Sequence, residues 1–231
     1  MTELAPDYRY TGTPTDRPSP LQNRVLPTGE IVADPARGRL MGNRGCLHHT
    51  DRRLGVSRWR SPMWISCVLR WGNVRRDVMP PGRWTALFFL DEATALAAGH
   101  RPCGYCRRLD HLAFGEAWRQ GQRLSERPKA HQMDLELHRE RVDRTRRKLT
   151  WSAPVAELPS GAMVLLADRP ALVIGGRLLP WSLTGYQQPI ELPGRTVLGV
   201  LTPSRMVDAL AAGYRPLVHP SAGETGLRVI D

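Results

Sequence analysis

Cys103 and Cys106, in the run His100-Arg-Pro-Cys-Gly-Tyr-Cys-Arg-Arg, are the residues whose spacing speaks most directly to chemistry. Two thiolates separated by two residues on a tight knuckle turn both sulfurs toward one tetrahedral ion without strain, and Pro102 stiffens the approach. The same spacing suits a redox dithiol, but such a pair opens a helix after a strand, and here it follows a predicted helix. A zinc deaminase also uses Pro-Cys-x-x-Cys, with a His-x-Glu upstream. In this chain His138-Arg-Glu140 lies downstream, in the wrong order. One zinc ion is therefore the leading reading, and it needs two further ligands. Cys67 is the first choice, with His48 beside it. Cys46 and His49 in Gly45-Cys-Leu-His-His remain open, and an all-cysteine site ranks almost level with one containing a histidine. The competing role for Cys67 is a small apolar residue of a buried strand.

A second constellation is Asp134 and His138, four residues apart on a predicted helix, where a carboxylate could orient an imidazole as a general base. Histidines on an apolar stripe are more often core residues, and His131 and His138 share a face with Leu135 and Val142. No P-loop, nucleophile elbow or dinucleotide fingerprint occurs.

Charge points to a polyanionic partner. Lys and Arg number 33 against 22 Asp and Glu, a net charge of +11, and phosphate neutralisation by such a surface releases counterions. Arg52, Arg53, Arg58, Arg60, Arg75 and Arg76 cluster among Trp59, Trp64, Trp71 and Trp84. That mixture suits phosphate contacts combined with base stacking. A second group, from Arg139 to Lys148, is interspersed with acidic residues and makes a weaker surface.

The segment Phe88-Phe-Leu-Asp-Glu-Ala, followed by Ala97-Ala-Gly-His-Arg-Pro-Cys-Gly-Tyr-Cys-Arg, resembles the zinc-binding module of the Ada methylphosphotriester-repair domain. It is also similar to a related module found on some bacterial nucleases. The resemblance covers residues 86–108. It implies a strand ending in aromatics, a Glu-Ala helix, and a knuckle supplying half of a metal site in a DNA-directed protein. The closely spaced upstream cysteine pair of the Ada module, one of which accepts a methyl group, has no counterpart here. With Cys67 on an apolar segment, the implied zinc is structural.

The elements that must place these residues divide the chain into five parts. Residues 1–22 read as a flexible arm, 23–110 as the zinc module, 111–150 as a helical connector, 151–218 as a small β-rich unit with a terminal helix, and 219–231 as a loose tail. Within the module, Trp64 to Trp71 followed by Gly72-Asn predicts a hairpin with Cys67 on its first strand. Asp91 caps a helix that Gly99 ends. A further helix is expected over 109–122, and another from Pro128 to about Leu149 whose inner face carries Leu135, His138, Val142 and Leu149. No apolar run is long enough for a bilayer and no signal peptide opens the chain, which predicts a cytoplasmic protein with reduced cysteines. The fold class is α+β. The expected function is a zinc-containing nucleic-acid-binding protein of DNA repair or processing, with DNA ahead of RNA and no membrane partner. Two alternatives stand beside it: a hydrolase or nuclease-like enzyme using His138, and a zinc-stabilised protein-interaction module.

Overall fold

The computed structural model describes residues 20–73, 78–223 and 226–230, arranged as a mixed α+β fold with four helices and several sheets. The chain begins with β1 (Gln22–Val25), β2 (Ile31–Ala33), β3 (Leu40–Asn43), β4 (Ile65–Val68) and β5 (Leu87–Phe89). Helix α1 (Glu92–Ala97) and the short β6 (Arg101–Pro102) complete the first layer. Its six strands run in the order β2-β1-β5-β3-β4-β6. Leu87 and Phe89 alternate into the interior as a strand's period of two demands, which suits β5 to its central place. Directly after β5, the Asp91 carboxylate accepts the Thr94 backbone N–H at 2.9 Å and caps α1. All six residues of α1 are buried, so this helix lies inside the molecule.

Helices α2 (Arg108–Gly121) and α3 (Ala130–Arg141) follow, then β7 (Trp151–Pro154), β8 (Met163–Leu166), β9 (Arg169–Ile174) and β10 (Arg177–Ser182). Next come β11 (Gly185–Tyr186), β12 (Ile190–Glu191), β13 (Val197–Val200), α4 (Ser204–Ala211), β14 (Leu217–Val218) and β15 (Arg228–Val229). The second sheet runs β11-β10-β9-β8-β13-β7 with β12 on β10, and β14 pairs with β15 in a third.

Several expectations change. Strand β4 carries Cys67 as anticipated, and it pairs antiparallel with β3 and parallel with β6; the segment expected as its hairpin partner runs into 74–77, outside the described residues. A long excursion over 44–64 separates β3 from β4, and no local turn could signal that pairing. Helix α3 stops at Arg141, short of Leu149. Val142 is extended, and the Asp143 carboxylate accepts the backbone N–H groups of Thr145 and Arg147 at 2.8 Å each, holding a turn in place of further helix. The inner face of α3 is Met133, Asp134, Leu137 and Arg141, while Leu135 is exposed. Finally, the described part of 219–231 is packed: Ala222, Leu227 and Ile230 are buried, and Ile230 joins a cluster with Val25, Ile31 and Leu40.

The expected connector packs against the β-rich part. Phe114, Trp118, Met133 and Leu137 share one apolar cluster with Val164, Val173 and Leu210 of the β-rich part.

Candidate metal centre and its surroundings

Strand β4 and the knuckle after β6 bring three sulfurs together. Ile65 pairs with Arg101 and Ser66 with Pro102, and the Cys103 N–H donates to the Ser66 carbonyl at 2.9 Å. That register sets Cys67 beside Cys103, and the tight turn through Gly104 returns the chain so that Cys106 faces both. The Sγ atoms of Cys67, Cys103 and Cys106 all lie within 4.8 Å of one another, and all three residues are buried. The Tyr105 N–H donates to Cys103 Sγ at 3.4 Å. A side chain at Gly104 would begin only 3.3 Å from the His111 ring, so the knuckle has little room for one.

Electrostatics distinguish the three thiols. Donation from the Cys106 and Cys67 thiols, reinforced by the Cys106 and Tyr105 amides, pulls Cys103 far below the usual thiol range and outweighs its burial. Cys67 is pushed up, first by its hydrogen bonds to Cys103 and Cys106 and then by burial. Cys106 also rises through its bond to Cys103, partly offset by donation from Cys67 and the Val68 amide. Three close sulfurs are a donor set that soft or borderline metal ions favour. These three buried cysteines could hold a metal ion. Among the described residues, no fourth His, Cys, Asp or Glu brings a ligand atom into the group.

Buried arginines lock the knuckle in place. Arg101, in the knuckle approach, donates from Nε and Nη2 to the two Asp134 oxygens at 2.8 and 2.7 Å, a bidentate pair that ties β6 to α3. Arg107, just after Cys106, reaches Glu92 at 2.7 Å and Asp110 at 2.9 Å, and donates to the Ser66 hydroxyl at 2.9 Å. Burial draws its pKa down, but Glu92 and Asp110 more than reverse that, so Arg107 stays charged.

The other predicted site residues fall elsewhere. His48 is buried, but both its ring nitrogens are engaged, with Thr85 Oγ1 at 2.7 Å and the Pro80 carbonyl at 3.3 Å. Donation of Nε2–H to that carbonyl leaves Nδ1 as acceptor of the Thr85 hydroxyl, so no lone pair is free for a metal. Cys46 is half-buried, with its thiol 3.8 Å from the His48 carbonyl, and His49 is exposed. The structure does not bring Asp134 and His138 together: the Asp134 carboxylate is occupied by Arg101. His138 Nδ1 instead lies 3.1 Å from Arg141, and its ring sits edge-on to Trp59 and Trp64. Burial, then Arg141, lowers the His138 pKa.

Arg52, Arg53, Arg58 and Arg60 all lie on the 44–64 excursion. Arg52, Arg53 and Arg60 are exposed, while Arg58 is half-buried and donates to the Gly55 carbonyl. Arg75 and Arg76 fall outside the described residues. Sequence reasoning did not find the structural roles of Arg101 and Arg107; their partners are distant in sequence, and only their place in the knuckle motif marked them.

No family model, curated protein or solved structure matches this chain. Among the described residues, no helix is long and apolar enough to cross a membrane.

Proposed function

We propose that this chain is a zinc-containing nucleic-acid-binding protein in which Cys67, Cys103 and Cys106 ligate one zinc ion, and that it acts on DNA, ahead of RNA, in repair or processing. The observation that carries the metal half is the three-sulfur cluster itself. Zinc is the metal preferred for such a set because thiolates suit it and it needs no redox partner. Its role is structural: every sulfur is buried, so a bulky substrate has no direct path to a bound thiolate.

Support for the nucleic-acid half lies on the outer side of the same knuckle. Tyr105, between the two ligands, is 72% exposed, and its ring stands 5.8 Å from that of Trp71, itself exposed. Arg70 and Arg108 are exposed close by in sequence. Aromatic faces flanked by guanidinium groups stack unpaired bases and neutralise phosphates. A knuckle clamped by zinc and by the Arg101–Asp134 pair would hold Tyr105 rigid for that purpose.

Equilibrium binding of single-stranded and duplex DNA, and of RNA of the same sequence, tests the reading. DNA affinity falling steeply with salt is expected. Tyr105→Ala should weaken single-strand binding by about 1–3 kcal/mol, the worth of one stacked base. Affinity that is absent or indifferent to salt would contradict it.

A further inference from the structure

On the other side of Trp64 lies a cavity of about 320 Å³, lined in part by Thr28, Arg44, Trp59, Arg141 and Lys148. Trp64 is buried, with the guanidinium groups of Arg44 and Arg141 each 4.0 Å from its ring centre. Both arginines are buried, with residue exposures of 2% and 1%. Each is aligned by hydrogen bonds. Arg44 donates to His100 Nε2 at 3.1 Å and to the Gly29 carbonyl at 3.0 Å, and Arg141 donates to the Gly99 carbonyl at 2.8 Å and to the Pro62 carbonyl.

What these bonds leave over is a set of donors on residues that line one cavity. Arg44 Nη2, Arg141 Nε, Lys148 Nζ and Thr28 Oγ1 are enclosed and have no partner among the described residues. Buried donors are nearly always satisfied, and buried cations are nearly always paired. Two buried guanidinium groups and the enclosed ammonium of the half-buried Lys148 share this cavity, with Arg58, Arg146 and Arg147 also along its wall. Among the described residues the one carboxylate in the lining is the exposed Glu30; Asp134 acts on Arg141 from the α3 side but is already bound to Arg101.

We propose that this cavity is a binding site for a phosphate monoester, held by Arg44, Arg141, Lys148 and Thr28. Three cations match a dianion better than the single charge of a carboxylate or phosphodiester, and guanidinium donors fit phosphate oxygens in pairs. The volume, at the small end of ligand sites, exceeds that of a phosphate and leaves room for an attached sugar or base beside Trp59. The ligand is therefore a free nucleotide or the phosphorylated end of a strand, which share this chemistry. Unrelieved cation repulsion supports the assignment: burial first, then Arg44 and Arg141, press Lys148 down to about 7, and burial, then Arg58, lowers Arg44 to about 9. The site depends neither on the metal nor on the Tyr105 surface.

Titration calorimetry and thermal unfolding of the full chain near pH 6.5 test it. The probes are inorganic phosphate, a nucleoside 5′-monophosphate, and DNA strands with and without a 5′-phosphate, all at constant ionic strength. One phosphate per chain and a melting temperature that rises with phosphate but not with chloride are expected. Lys148→Met should fold and lose at least tenfold in phosphate affinity, and Thr28→Val should lose severalfold. If the free nucleotide binds as tightly as the phosphorylated strand, the ligand is the nucleotide. If the strand binds more tightly, and its advantage over the unphosphorylated strand vanishes in Lys148→Met, it is a strand end. Phosphate binding without any affinity for nucleic acid would keep the site and remove the proposed function. No phosphate-specific stabilisation, or unchanged affinity in Lys148→Met, overturns the site.

Discussion

A buried charge without a partner raises the free energy of the folded state, and Lys148 shows how that cost depends on pH. Its folded pKa of about 7 lies below its ordinary value of 10.5. Between those values the unfolded chain binds a proton that the native chain does not, so stability rises as pH increases through that window. Below pH 7 the full penalty is present, on the order of a few kcal/mol. In phosphate-free buffer Lys148→Met should therefore be more stable than the parent below pH 7, with the difference closing as pH approaches 10.5. Denaturant melts at several pH values check this, and a variant less stable at pH 6 would contradict it. Residue types and spacing anticipated one feature of the fold: Cys67, Cys103 and Cys106 do come together. His48 did not join them, because adjacency to Cys46 carries no information about Thr85 and Pro80, which engage its ring. Asp134 and His138 have the spacing of a hydrogen-bonded pair, yet Arg101 offers Asp134 a charged bidentate partner, the stronger bond.

Elements with strong local signals were legible, and those formed by distant pairing were not. The Asp91 cap, the short α1 and its glycine stop could be read directly. Gly99 adopts φ +86°, and a Cβ there would lie 2.6 Å from Arg141 Cδ. Gly99→Ala should accordingly destabilise the protein by about 2 kcal/mol or more, combining left-handed strain with displacement of Arg141. A denaturant midpoint unchanged from the parent would show that Arg141 moves aside freely. By contrast, the partners of β4 are β3, across a long excursion, and β6, across α1. A Gly-Asn pair after an apolar strand is a sound hairpin signal, but pairing is settled by which sheet buries the strand. In α3 the stripe Leu135, His138, Val142, Leu149 has helical spacing, but the helix turns Asp134 and Arg141 inward because their charged ends find partners there.

At the scale of the molecule, the two adjacent carboxylates that open α1 connect the halves of the chain. Asp91 accepts the Tyr186 hydroxyl at 2.7 Å and the His219 N–H at 3.0 Å. Glu92 accepts the Tyr214 hydroxyl at 2.6 Å and the Leu217 N–H at 2.9 Å while pairing with Arg107 beside the cysteines. Burial raises the Asp91 pKa, with the bonds from Thr94, Tyr186 and His219 opposing that rise. This network ties the described part of the C-terminal segment to α1 and to the cysteine knuckle, alongside the apolar clusters that join elements far apart in sequence. Its polar joins lie outside any apolar pattern. The net charge of +11 bears on partners, not on architecture, and its sorting between the 44–64 excursion and the Trp64 cavity became visible only with the fold.

Zinc content of the protein purified without added metal, measured for the parent and for single variants, tests the metal centre directly. One zinc per chain is expected, lost or sharply reduced in Cys67→Ser, Cys103→Ser and Cys106→Ser, and retained in Cys46→Ser and His48→Ala. A metal-free parent, or zinc that persists without Cys67 and disappears with His48, would contradict the three-sulfur centre.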